Sequence, residues 1–156
     1  MSGIFISKNK EELIEPLLAL QQQNLLEAQS LIEFRALPFE CPPAHQILFI
    51  SSIRAAHYFF EHCTSDALIA CAGIETAKKV AELHQKQVHF IAAQSGQPKL
   101  EAQRFNEWRN GRSVCFPSSQ LSIGSYAAPI PDHEKTVLKV YETVFRSSLI
   151  NPKDIY

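Results

Sequence analysis

The stretch Ile47-Leu48-Phe49-Ile50-Ser51-Ser52-Ile53-Arg54-Ala55-Ala56 joins four consecutive apolar residues to two serines and then to a run with helical spacing. Four apolar residues without alternation suit a strand buried on both faces, as in the interior of a parallel sheet. A helix is expected over 53–62, where Ala55, Ala56, Tyr58, Phe59 and Phe60 recur at helical intervals.

The same unit recurs downstream. Strand Leu68–Ala72 leads through Gly73 to a helix over 75–83 with Ala77, Val80 and Ala81 inward. Strand Val88–Ala92 leads through Ala93-Gln94-Ser95-Gly96-Gln97 to a helix over 99–108. Asn110-Gly111 closes that helix, because both residues readily take the left-handed backbone that ends helices. A fourth strand spans 113–116, and Pro117-Ser118-Ser119-Gln120 reads as a polar turn. On either side of this core lie a β-rich run Ile4-Phe5-Ile6, leucines at helical spacing over 11–23 interrupted by Pro16, and extended segments over 28–37 and 135–145 that would pair with each other. Pro129 and Pro131 imply a broken helix or loop between them and the core. Strands alternating with helices predict an α/β fold, a parallel sheet flanked by helices.

Composition narrows the function. The 156 residues carry 15 basic and 16 acidic side chains, so no strong field favours nucleic acid or an anionic membrane. No apolar run approaches the roughly 18 to 20 residues that span a bilayer, and the chain is expected in the cytoplasm. Cys41, Cys63, Cys71 and Cys115 form no CxxC pair and are expected as reduced thiols packed as small apolar groups. The six histidines offer no HxH or HxxxH metal-ligand spacing. GxGxxG, GxxxxGK[ST] and GxSxG are all absent, so neither a cofactor, a metal nor a covalent nucleophile is expected.

Open parallel sheets bind ligands at the carboxyl ends of their strands. Here those ends carry Ser51 and Ser52, then Gly73 and Thr76, then Ser95 and Gly96, then Ser118 and Ser119. Hydroxyls and helix N-termini suit a ligand with several carboxylates. Each of these positions also reads as an ordinary helix cap, since Ser and Thr are preferred there for structural reasons.

The ordered series Ile47 to Ala56, Gly73-Ile74-Glu75-Thr76-Ala77, Phe116-Pro117-Ser118-Ser119 and Val140-Tyr141-Glu142-Thr143 resembles the uroporphyrinogen-III synthases, whose patterns run FTSxxAV, GxxTA, LxPRGxxxR and VYxT in this order. The resemblance implies an N-terminal βα unit of a split, incomplete domain over 1–30, a linker strand over 31–37 and a central, flavodoxin-like α/β domain over 38–134. A return linker over 135–145 and the opening of a further portion over 146–156 complete it, and a homodimer is one way to cover the incomplete domain. It also implies a cofactor-free cyclisation of the small-molecule substrate hydroxymethylbilane to uroporphyrinogen III, losing water and inverting the last pyrrole ring. Tyr141 would assist loss of the hydroxyl, and Ser51, Ser52, Gly73, Thr76, Ser118 and Ser119 would hold substrate. The sequence departs from the family where Ser118 and Ser119 replace an Arg-Gly pair, and in Ser52-Ile53. Two other classes stay open: a non-catalytic α/β module that binds a small ligand or protein, and an inactive fragment of the synthase.

Overall fold

A computed structural model describes residues 4–6, 11, 13–23, 26–28, 30–93, 96–122 and 124–146. Their elements run β1 (Ile4–Ile6), α1 (Leu17–Gln22), β2 (Leu26–Ala28), β3 (Ile32–Ala36), β4 (Ile47–Ile50), α2 (Ile53–Phe60), β5 (Leu68–Ala72), α3 (Ile74–His84), β6 (Val88–Ala92), α4 (Pro98–Arg109), β7 (Val114–Ser119) and β8 (Lys135–Phe145). The chain divides into two compact units, Met1–Arg35 with Thr143–Tyr156, and Ala36–Glu142.

In the first unit β1 pairs parallel with the short β2, and Leu13 is buried against Ile6, Leu17, Leu18 and Leu20. In the second unit β4 pairs with β5 and β7, β5 with β6, and β7 with β8, all parallel. The sheet order is β3-β8-β7-β4-β5-β6. β8 runs antiparallel to the segment holding β3. The Leu37 N–H donates to the Val140 carbonyl at 3.0 Å, and the Arg146 N–H donates to the Leu31 carbonyl at 2.8 Å.

β4 shows why this sheet needs helices on both sides. All four of its residues are buried. Successive side chains point to opposite faces, and Leu48 and Ile50 pack with Ala56, Phe59, Ala77 and Val80 of α2 and α3. Ile47 and Phe49 pack on the other side with Phe105 of α4 and with Ala127 and Ile130. Phe105 is completely buried, and its ring lies 4.6 Å from that of Phe49 and 5.5 Å from that of Phe90, centroid to centroid.

The direction of winding follows from handedness. Parallel crossovers are right-handed, so β4-α2-β5-α3-β6 puts α2 and α3 on one face as the chain steps one way. The chain then returns through α4 to β7 on the far side of β4, which puts α4 on the opposite face. Lys135 anchors the final connection by donating to the Ala127 and Ile130 carbonyls at 3.2 and 2.8 Å.

Several expectations are corrected. The helix expected over 11–23 begins only at Leu17, because Pro16 cannot occupy a helix interior and stands at its N-cap. β2 had no signal of its own. β7 continues through Pro117, Ser118 and Ser119, which were expected as a turn. On the β4 side its pairing stops at Cys115, while on the β8 side it runs on to Ser119. Cys41 and Cys63 form a disulfide across 22 positions and are not reduced thiols. Cys71 and Cys115 are free and buried, as expected. Asn110 and Gly111 do take positive φ, 48° and 76°. Ser95 and the segments 7–10 and 147–156 lie outside the described residues.

Two measurements check this packing. Phe105→Ala should lower the urea unfolding free energy by about 3–5 kcal/mol, through lost burial and the cavity left behind. Reducing the Cys41–Cys63 bond should remove about 3 kcal/mol through the freed loop, a drop of about 6–12 °C in melting temperature; an unchanged midpoint in reductant would show that the bond does not constrain the fold.

Candidate functional site

The reversal of strand order falls between β4 and β7. Chain leaving these two strands turns to opposite faces, and the crevice outside their carboxyl ends is where doubly wound sheets bind ligands. On the β4 side the backbone passes through Ser51, which is exposed, into Ser52. Ser52 is extended, with φ −156° and ψ 154°, and its Oγ accepts the Ala55 N–H at 3.2 Å, capping α2. No acidic side chain occupies the first turn of α2, so its N-terminal dipole is not offset there, and Arg54 adds a positive charge.

On the β7 side Ser118 is buried, 5% exposed. Lys139 of β8 lies opposite it in register, and its ammonium donates to Ser118 Oγ at 3.3 Å and to the Ser119 carbonyl at 3.0 Å. Ser119 pairs with Tyr141 across a register shift in the strands. Tyr141 is 7% exposed and its ring stacks on Tyr58 of α2, 5.4 Å between centroids and 23° between planes. β7 and β8 thus carry Ser118 beside Lys139 and Ser119 beside Tyr141 at their carboxyl ends, and the Tyr141 ring lies against Tyr58 of the helix that Ser52 caps.

Gly73 and Thr76 stand one strand further along the same end of the sheet. Gly73 holds φ +99° at the start of α3, a conformation that a side chain would strain. Thr76 is half-buried in the first turn of that helix. Ser51, Ser52, Gly73 and Thr76 share this end through strand register. Two cavities, of about 560 and 350 Å³, are lined by other residues. Burial pushes the Cys71 and Cys115 thiols up to about 12, which leaves no thiolate for nucleophilic work at neutral pH. Among the described residues no group of three or more His, Cys, Asp or Glu side chains could hold a metal ion.

No family model matches the chain, and no curated protein matches it by sequence. Among solved structures, a uroporphyrinogen-III synthetase from Helicobacter pylori 26695 superposes with a TM-score of 0.63 at 18% identity, covering 94% of this chain and 63% of that one. The two chains share a fold. This chain spans about 63% of the synthetase's length, and at this identity the likeness carries the fold alone.

Lys139 and Tyr58 were not read from the sequence as site residues. Lys139 stands two residues before Tyr141, but the register shift between β7 and β8 interrupts the strand alternation there, so spacing gave no usable signal. Tyr58 gave none, since one aromatic among Phe59 and Phe60 reads as helix core.

Capping and rim roles separate by stability. Ser52→Ala should cost about 1 kcal/mol by losing the α2 cap, whereas Ser51→Ala should stay within about 0.5 kcal/mol. Chemical denaturation of both variants checks this, and equal losses would contradict the assignment.

Proposed function

We propose that the chain is a uroporphyrinogen-III synthase that binds linear hydroxymethylbilane at the β4–β7 crevice and closes it to uroporphyrinogen III with loss of water. The observation that carries this reading is that the ends of β7 and β8, beside the reversal point of a sheet with the synthetase fold, carry Ser118, Ser119, Lys139 and Tyr141. A flexible polycarboxylate needs anchors spread along a rim, and Ser51, Thr76, the N-terminus of α2 and the Lys139 ammonium supply them. Lys139 also supplies a cation beside Ser118 and Ser119, which stand where many synthases carry Arg-Gly.

Holding the two ends of the substrate together lowers the barrier chiefly by removing rotational freedom. Tyr141 then donates a hydrogen bond to the departing hydroxyl, its ring held in place by Tyr58. The residues of this mechanism need no cofactor. The reading places the protein in the cytoplasm, where the Cys41–Cys63 bond would meet a reducing thiol pool. Among the described residues no helix is long and apolar enough to cross a membrane.

A second reading, a non-catalytic module on the same fold, is favoured by one observation: Ser118 is buried and already bonded to Lys139. Incubation with hydroxymethylbilane separates the two. The synthase reading expects type III product above the spontaneous type I background. It also expects Tyr141→Phe to lower turnover about 10-fold or more with the melting temperature nearly unchanged. Type I product alone from the folded chain would favour the module.

A further inference from the structure

At the other end of β4 and β5, where these strands begin, a cavity of about 560 Å³ is lined by residues that include Pro42, His45, Thr64, Ser65, Asp66 and Arg112. Two loops build it, 41–46 leading into β4 and 63–67 leading into β5. The Cys41–Cys63 disulfide ties the loops at their starts, with Cα atoms 5.7 Å apart. The Leu68 N–H, donating to the Gln46 carbonyl at 3.0 Å, ties them at their ends. Between these two clamps His45 Nε2 lies 3.2 Å from Ser65 Oγ.

The protons in this pair follow from its partners. His45 Nδ1 is 3.3 Å from the Pro43 carbonyl, which can only accept, so Nδ1 carries the ring hydrogen. Nε2 is therefore the acceptor, and the Ser65 hydroxyl donates to it. The Ala67 N–H donates to Ser65 Oγ at 3.2 Å and fixes the oxygen, while Lys86 Nζ donates to the Ser65 carbonyl at 3.1 Å and fixes its backbone. The His45 and Phe59 rings lie edge to face, 6.4 Å between centroids, and burial holds the imidazole below its ordinary pKa, hence neutral at pH 7. A hydroxyl, a neutral imidazole with its lone pair toward that hydroxyl, and a carbonyl orienting the imidazole are the three parts of an activated nucleophile.

We propose that Ser65 is a nucleophile activated by His45, forming a second site that hydrolyses small carboxylic esters. Ser65 Oγ bonds to the ester carbonyl carbon as its proton passes to His45 Nε2. The carbon–oxygen bond to the alcohol breaks, and His45 returns the proton to the departing oxygen. Water, the co-reactant, then attacks the acyl carbon, gives its proton to His45 and releases the carboxylic acid, while Ser65 recovers its hydrogen. Asp66 and Arg112 put both signs of charge on the lining, and Pro42, Ala44, Ala67 and Leu68 supply apolar surface, which suits a neutral ester with a short acyl chain.

The test is covalent. The full oxidised chain is treated with an alkyl fluorophosphonate, which phosphonylates an activated serine with loss of fluoride, and is followed by intact mass and peptide mapping. A single adduct on Ser65 is expected, absent in Ser65→Ala and formed about 100-fold more slowly in His45→Gln. No adduct on the unsubstituted chain, an adduct at another residue, or undiminished labelling of a folded His45→Gln variant overturns the proposal. The unsubstituted protein decides the first two outcomes, so a variant that fails to fold does not shield it.

Discussion

The burial of β4 on both faces is the constraint from which the rest of the central unit follows. Four apolar side chains alternating to two sides demand helices above and below. Right-handed crossovers allow that only if the chain reverses its stepping direction beside β4. The reversal falls between β4 and β7, and beside it stand a serine, a helix cap and the ends of β7 and β8. Packing and candidate site are therefore one arrangement, with Phe49 and Phe105 holding the sheet whose ends carry Ser51 and Ser118.

Much of this was legible because the informative signals are local. Ile47–Ile50 read as a buried strand, and the helices over 53–62, 75–83 and 99–108 fell within two residues of α2, α3 and α4. Asn110-Gly111 marked a helix end through backbone chemistry that needs no tertiary partner. What stayed hidden depends on residues far apart in the chain. The proline and serines of 117–119 have turn-like composition, yet pairing with β8 draws them into a strand. Cys41 and Cys63 carry no spacing motif, and only the folding of two loops onto the start of the sheet brings them within bonding distance. His45 and Ser65 lie 20 positions apart and meet because Ile47 pairs with Leu68. Lys139 was passed over because its partner, Ser118, is supplied by another strand.

The two ends of the central sheet carry different chemistry. At the carboxyl ends, the α2 dipole, Arg54 and Lys139 bias the proposed binding crevice toward anions, although the whole chain is close to neutral. At the opposite ends, Asp66 and Arg112 place opposite charges on one cavity lining, and a neutral imidazole faces a hydroxyl. A polycarboxylate and a small neutral ester would thus be sorted by charge before shape is considered. The disulfide lies at the second end.

Amide shifts in the isotopically labelled chain, titrated with uroporphyrin as a stable tetrapyrrole polycarboxylate, test the central claim most directly. The account predicts saturable shifts gathered at Ser51–Ala55, Gly73–Ala77, Ser118–Ser119 and Lys139–Tyr141, weakening as salt is raised. Shifts confined to Pro42–Gln46 and Thr64–Leu68, or none that saturate, would contradict it.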